Sequence, residues 1–205
     1  MSQVHNLVEH TDPRYRPAVW LLVLAGLRTS ELCGLRVCDV DWPKHTITIT
    51  EVQMWVTGEL VVKGPKTDSG NRTIPIPDWL IDQLTSLLTE RSETTGRPPD
   101  RTDRIFLSPR GKPLVDHTVW KIINRARLAA SLDHFRPYDL RHSHASLLIE
   151  LGAHPKAISE RMGHSEIGVT MNVYGHLFEG AQAKLTDDLS NLVESTRTTD
   201  VAEQN

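Results

Sequence analysis

The chain is poor in cysteine, in aromatic side chains and in long apolar segments. Cys33 and Cys38 are the only cysteines and have no second pair, so neither a disulfide framework nor a zinc pattern is indicated. The longest apolar stretch, 18–27, is too short to span a bilayer and predicts a buried helix. The polar opening, 1–5, does not resemble a signal peptide. We therefore expect a cytoplasmic protein, of a bacterium or of a phage within its host, with no membrane partner.

An excess of positive charge is also lacking. The net charge of −3 argues against a nucleic-acid-binding protein. Six acidic side chains against two basic ones follow residue 177, however, so the rest of the chain is about neutral. Basic residues outnumber acidic ones between residues 101 and 141. A basic face on the main body is therefore compatible with the composition.

The 205 residues, 39% of them apolar, are enough for one domain with a substantial core, which we place at 1–190. The polar tail, 191–205, is expected to be disordered. Alternation at 46–50 predicts a half-buried strand, and further strands are predicted within 52–63 and at 72–77, the last at a sheet edge because of its prolines. The sheet should be antiparallel because its connections are too short for helical crossovers.

Helical periodicity dominates the rest of the chain. Helices are predicted to begin at Thr11, Thr29, Asp78, Asp116, Pro137, Pro155 and Ile167. The predicted fold class is therefore α+β: mostly helical, with a small antiparallel three-stranded sheet.

Three short motifs near the C-terminus repeat arginine, histidine and tyrosine. They are Tyr138-Asp-Leu-Arg141-His142, Met162-Gly-His164-Ser and Tyr174-Gly-His176. An arginine can hold a phosphate through two parallel hydrogen bonds, a histidine can donate or carry a proton, and a tyrosine can act as a covalent nucleophile.

Two upstream motifs add further cationic side chains. Gly26-Leu-Arg28-Thr-Ser-Glu31 supplies a second arginine, and Pro65-Lys66-Thr supplies a lysine that precedes Arg72-Thr-Ile-Pro. Together the five motifs contain the groups needed to cleave a phosphodiester without a bound metal or other cofactor.

The same motifs, in this order and over roughly residues 7–189, resemble those of the tyrosine recombinases, the phage integrase family. The resemblance implies a role for each central residue. Arg28 and Arg141 would grip the non-bridging oxygens of the scissile phosphate, and Lys66 would protonate the departing 5′ oxygen. His164 would hydrogen-bond the phosphate, and Tyr174 would attack phosphorus to form a 3′-phosphotyrosine.

Supporting roles follow from the same resemblance. Arg72 would join the two arginines and the lysine in binding DNA, and Glu31 would orient the first arginine. His142 and His176 are expected to lie next to the catalytic residues and to help position them. Tyr138 stands where the family commonly has histidine; it can bind the phosphate but is a poor base near neutral pH, so the general base is left unassigned.

The implied partner is double-stranded DNA, and the implied reaction integrates or excises a phage or mobile element. We expect a monomer alone, a homotetramer in the synaptic complex, and accessory DNA-bending or directionality factors as further candidate partners. The core-binding domain that usually precedes the first motif is expected to be absent from this chain.

Three alternative functions remain open at this point. The first is a type IB topoisomerase-like enzyme that relaxes DNA without strand exchange. The second is a DNA-binding regulator with lost catalysis, which the retained Tyr174 disfavours. The third is a metal-dependent hydrolase, which the lack of ligand spacing among the histidines disfavours.

Overall fold

The computed structural model describes residues 1–65, 67–178, 186–187 and 189–191. Eight α-helices and five strands have assigned bounds within these ranges. The helices are α1 Ser2–Glu9, α2 Arg16–Leu24, α3 Thr29–Gly34, α4 Asp78–Thr95, α5 Asp116–Ala129, α6 Pro137–Glu150, α7 Pro155–Met162 and α8 Ile167–Tyr174. The strands are β1 Val40–Asp41, β2 Thr46–Ile49, β3 Val52–Val56, β4 Glu59–Lys63 and β5 Arg72–Pro75.

Three strands form an antiparallel sheet in the order β1-β2-β5. Alternation in β2 places Ile47 and Ile49 in the core, and Ile47 pairs with the buried Ile74 of β5. A one-residue slip would turn these isoleucines to solvent, so their burial fixes the register. The predicted small antiparallel sheet is confirmed, with β5 at its edge.

The strands predicted within 52–63 form a separate two-stranded hairpin, β3-β4, instead of joining this sheet. Trp55 pairs with Leu60 near the tip, and both side chains are exposed. The third strand of the sheet is β1, whose two residues are too few for sequence alternation to reveal. The hairpin leads into the loop 64–71, which contains Lys66.

Helix α2 lies at the centre of the main core, and residues 17–23 are all buried. A second, smaller cluster consists of Ala145, Ile158, Met162 and Tyr174 from α6, α7 and α8. Burial of these side chains joins the three C-terminal helices that carry the arginine, histidine and tyrosine motifs.

The predicted starts of α3 to α8 agree with the structure, whereas α1 was not predicted and α2 begins at Arg16, directly after a 3₁₀ turn at Pro13–Tyr15. Among the described residues, no helix combines the length and apolar character that crossing a bilayer requires. Apart from its first residue, the tail predicted at 191–205 lies outside the described residues.

Candidate active site

Arg28 is positioned by the first turn of α3. Its backbone N–H donates to Glu31 Oε2 at 2.8 Å, and its Nη1 donates to Glu31 Oε1 at 2.7 Å. The carboxylate thus caps the helix and holds the guanidinium at once. The Arg28 side chain remains 38% exposed, so it is held at its base but open to a ligand.

Glu31 is itself buried and bound by a second arginine. Arg72 donates from Nη1 and Nη2 to the two carboxylate oxygens at 3.0 and 2.9 Å, and from Nε to the Arg161 carbonyl at 2.7 Å. Burial alone would raise the pKa of Glu31, but the hydrogen bonds and charge of Arg72, with the charge of Arg28, hold it below its usual value. The Arg72 side chain is only 7% exposed. It therefore connects β5, α3 and the end of α7.

Arg141 is almost completely buried one turn into α6. Its Nη1 donates to the carbonyl of Gly26 and its Nη2 to the carbonyl of Met162. Its Nε is buried and has no partner among the described residues. Burial, and then the charge of Arg28, lower the pKa of Arg141 to about 10. The side chain therefore keeps its charge at neutral pH, and these two carbonyls use only two of its five N–H donors.

The turn that follows α7 brings the two arginines and a histidine together. Arg28 Nη2 donates to the Gly163 carbonyl at 3.2 Å, next to the Met162 carbonyl that Arg141 binds. Gly163 has a φ of +64°, and a Cβ there would lie 2.9 Å from Arg72 Nη1. The next residue is His164, so this turn, Met162-Gly163-His164, is the common point of the site.

His164 is a neutral group at physiological pH. Burial and the charges of Arg141, Arg28 and Arg72 lower its pKa to about 4. Its Nδ1 lies 2.8 Å from the hydroxyl of Thr170, which is buried in α8. The hydroxyl fixes the ring, so Nε2 is left to act as a donor when Thr170 donates to Nδ1.

Tyr174 ends α8 within the second cluster, with only 5% of the residue exposed. Its hydroxyl lies 2.6 Å from Nδ1 of His142. Burial raises the pKa of Tyr174 above its ordinary value, and the charge of Arg141 opposes this rise. Tyr138 is exposed and packs edge-to-face on His142, with ring centroids 4.8 Å apart.

Positive charge exceeds negative charge in this part of the molecule. We use the term cationic cluster for four arginines and the single carboxylate that contacts two of them: Arg28, Arg72, Arg141, Arg161 and Glu31. Burial lowers the pKa of Arg161, and Arg72 lowers it further. An anion such as a phosphate would relieve this repulsion.

The structure thus brings Arg28, Glu31, Arg72, Arg141 and His164 to one turn, and it places Tyr138, His142 and Tyr174 together on the adjoining helices. Lys66 and the side chain of His176 lie outside the described residues. The roles assigned to all these residues stay predictions.

Three contributing residues were not identified from the sequence: Arg161, Thr170 and His144. Arg161 Nη2 donates to the Leu24 and Pro75 carbonyls, and His144 Nδ1 lies 2.8 Å from the Val23 carbonyl. The i, i+3 spacing of Arg141 and His144 on α6 could have indicated a shared buried face. Nothing in the sequence pairs Thr170 with His164.

Among the described residues, no group of three His, Cys, Asp or Glu side chains has the arrangement of a metal site.

Residues 1–180 match the phage integrase family model. Tyrosine recombinase XerA of Thermococcus kodakarensis is 33% identical over 173 residues, which cover 83% of this chain and 54% of XerA. The ICEBs1 integrase of Bacillus subtilis is 30% identical over 190 residues, covering 92% of this chain and 52% of the relative. The chain thus spans about half the length of these curated relatives.

Solved structures share the fold. The Tn1549 transposon integrase, in complex with transposon right end DNA, superposes with a TM-score of 0.75 at 25% identity, covering 91% of this chain and 64% of that one. The catalytic domain of bacteriophage HP1 integrase shows the same fold, with a TM-score of 0.61 at 23% identity over 91% of this chain and 90% of its own. The fold is that of a tyrosine recombinase catalytic domain, and the chain belongs to the phage integrase family.

Proposed function

We propose that this chain is the catalytic domain of a site-specific DNA recombinase, which cleaves and rejoins DNA to integrate or excise a phage or mobile element. The observation that carries the proposal is the attachment of two arginines to one turn. Arg28 binds the carbonyl of Gly163, Arg141 binds that of Met162, and His164 follows directly. A phosphate at this turn meets three donors from three helices.

The cleavage step follows from this arrangement. Tyr174 Oη loses its proton and bonds to phosphorus, while the bond from phosphorus to the 5′ oxygen breaks and Lys66 protonates that oxygen. Arg28 and Arg141 stabilise the charge that builds on the non-bridging oxygens, where fixed donors act most strongly. The product is a 3′-phosphotyrosine, and attack by a 5′-hydroxyl reverses the step without ATP.

Neutral His164 acts as a hydrogen-bond donor to the phosphate. Its pKa of about 4 keeps it uncharged near neutral pH, so it adds no further charge to the cationic cluster. In the tautomer with its proton on Nε2, His164 accepts from the Thr170 hydroxyl at Nδ1 and donates from Nε2 to a phosphate oxygen.

Glu31 and Arg72 act on DNA through other residues. Arg72 is only 7% exposed, and its three nitrogens bind protein oxygens. It therefore positions Glu31 and the turn after α7 and does not contact the DNA backbone directly. Glu31 then fixes Arg28. Exposed Tyr138 lies at the rim, where its hydroxyl can reach a phosphate.

The proposed partner is double-stranded DNA, as the DNA complex of the Tn1549 integrase supports. Recombination between two duplexes needs four active sites, so we propose a monomer that assembles into a homotetramer on DNA, with accessory DNA-bending or directionality proteins. The site of action is the cytoplasm.

The test is covalent capture on DNA. The 205-residue chain is incubated with a pool of random-sequence DNA duplexes that carry nicks. Where a nick lies one to three nucleotides from a cleavage position, cleavage releases a short fragment with a 5′-hydroxyl. This fragment diffuses away, so the strand cannot be rejoined. We expect adducts that survive SDS, and sequencing of the captured DNA gives the cleavage site. Tyr174→Phe should form none, and peptide mapping should locate the nucleotide on residue 174.

The alternative functions predict different outcomes. A regulator without catalysis would bind DNA and form no adduct, which contradicts the proposal. An enzyme that relaxes supercoiled plasmid but does not exchange strands between two captured sites would instead be of the type IB topoisomerase kind.

A further inference from the structure

The nucleophile has one polar neighbour whose role the family resemblance leaves undefined. His142 lies on α6, one residue after Arg141, and its Nδ1 is 2.6 Å from Tyr174 Oη. This distance is within direct proton-transfer range, and no bridging water is required. The two side chains come from different helices, so packing of α8 against α6 makes the contact.

Tyr138 holds the imidazole from the other side. The ring of Tyr138 meets that of His142 edge-to-face at 4.8 Å, and the ring of Tyr174 lies 5.7 Å away and tilted by 58°. His142 is therefore enclosed between two phenols, with only Nδ1 directed to the nucleophile. Tyr138 thus orients the histidine.

We propose that His142 is the general base that accepts the proton of Tyr174 when the phenol attacks phosphorus. The inference rests on the proposed function, because it concerns the same cleavage step. It identifies the general base, which was unassigned because Tyr138 stands where the family commonly has histidine.

The physical need for a base is clear from the surroundings of the phenol. Burial raises the pKa of Tyr174, so the hydroxyl keeps its proton at neutral pH and is a weak nucleophile. A phenol that keeps its proton can donate it to neutral imidazole, which then carries its other proton on Nε2.

The step balances within these groups. The O–H bond of Tyr174 breaks and its proton passes to Nδ1, while the phenol oxygen bonds to phosphorus. The bond to the 5′ oxygen breaks, and that oxygen takes a proton from Lys66. In the rejoining step the imidazolium returns its proton to the departing phenol oxygen, so His142 acts as base and then as acid.

Few other ionisable groups face this pair. Tyr138 lies on the same helix, and the charges of Tyr138 and Arg141 both act on Tyr174. The side chain of His176, on the 3₁₀ turn that follows α8, lies outside the described residues. Arg141 favours the phenolate that forms as the proton leaves.

The first experiment replaces His142 by asparagine and uses the cleavage site recovered from the random pool. The amide of His142→Asn can hydrogen-bond near the Nδ1 position but does not titrate. We expect single-turnover adduct formation to slow by about 10²-fold or more, with DNA affinity and thermal stability little changed.

A second experiment separates a base from an acid. A substrate with a 5′-bridging sulfur has a leaving group that needs no proton, so it should rescue Lys66→Ala but not His142→Asn. Added imidazole should partly restore His142→Ala, because it replaces the missing acceptor. Rescue of His142→Asn by the sulfur substrate would mean that His142 acts on the leaving group, and would overturn the proposal.

The outcomes for the two proposals are distinct. If wild-type protein forms no adduct, the recombinase function fails. If adducts form and require Tyr174, but His142→Asn retains the wild-type rate of adduct formation, only the general-base assignment fails.

Discussion

Two groups of arginines in this domain differ in how their charge is balanced. In the compensated network, two arginines face two carboxylates: Arg36, Arg104, Asp39 and Glu51. Arg36 binds Asp39 at 3.0 Å and Glu51 at 2.8 Å, and Arg104 binds the other Glu51 oxygen at 2.9 Å. In the cationic cluster, four arginines share the single carboxylate of Glu31.

The difference separates a structural role from a ligand-binding role. The compensated network needs no further anion and connects the turn between β2 and β3 to the segments that precede β1 and follow α4. In the cationic cluster, Arg141 binds only backbone carbonyls, which carry partial charge, and Arg28 shares the one carboxylate of Glu31 with Arg72, so much of the positive charge is not neutralised by the protein. A DNA phosphodiester would neutralise part of this excess of positive charge.

The largest expected effect is on stability, from removing the only carboxylate of the cationic cluster. Glu31→Gln should cost about 3–5 kcal/mol of unfolding free energy, because buried Arg72 loses its counter-charge. The matched change Glu51→Gln should cost less, since Glu51 is about a quarter exposed. Urea unfolding monitored by circular dichroism measures both. Equal losses of unfolding free energy in Glu31→Gln and Glu51→Gln would mean that the cationic cluster does not depend on its carboxylate more than the compensated network does.

The next largest effect is expected on the rate of adduct formation, when the guanidinium of Arg141 is replaced by a group of the same charge. Arg141→Lys should slow adduct formation by about 10²- to 10³-fold, because a compact ammonium lacks the planar fork that spans the Gly26 and Met162 carbonyls and fixes the direction of the remaining donors. Single-turnover assays at saturating DNA isolate this step from binding. Arg36→Lys, in the compensated network, should leave the rate unchanged.

A smaller effect concerns pH, because a further positive charge in the cationic cluster is unfavourable. Burial, and then the charges of Arg161, Arg141 and Arg72, lower the pKa of His144 to about 4, from an ordinary 6.5. Between these pH values the unfolded chain binds more protons than the folded one, so stability should fall as the pH decreases from 6.5 to 4. The loss attributable to His144 is about 3 kcal/mol.

Unfolding free energies measured at intervals of pH test this. His144→Phe should remove part of the dependence and leave the part due to His164, whose pKa is also lowered to about 4, whereas replacement of the exposed His134 by Phe should remove none of it. A His144→Phe profile parallel to that of the wild type would show that other groups cause the acid instability.

The smallest expected effect is stabilisation by inorganic phosphate. At ten times its dissociation constant, a phosphate bound to the cationic cluster should raise the unfolding free energy by about 1.4 kcal/mol. Thermal unfolding in phosphate, compared with chloride at equal ionic strength, measures this gain. The gain should shrink in Arg141→Lys and persist in Arg36→Lys; the same gain in both would indicate nonspecific ion effects.

Local sequence signals were sufficient for much of the fold and for most of the site. The capping sequence Thr29-Ser-Glu31, the prolines that start α6 and α7, and Gly163 after α7 all act within one or two helical turns, so their outcome is readable from the sequence. The alternation in β2 likewise predicted its burial.

Long-range contacts could not be predicted in this way. Arg72 binds Glu31, 41 residues away, and Arg161 binds the Leu24 carbonyl, 137 residues away. Both contacts depend on how the helices and strands pack in the folded domain. Arg72 was therefore expected at the DNA surface, and its burial could not be foreseen. The contact of His142 with Tyr174 depends in the same way on how α8 packs on α6.

The backbone at Gly163 has a practical consequence for directed evolution of this domain. A side chain at this position would need an unfavourable φ of +64° and would press on both Arg72 Nη1, at 2.9 Å, and the Ser69 carbonyl, at 3.0 Å. Mutant libraries intended to change target preference should therefore keep codon 163 fixed and place their diversity elsewhere.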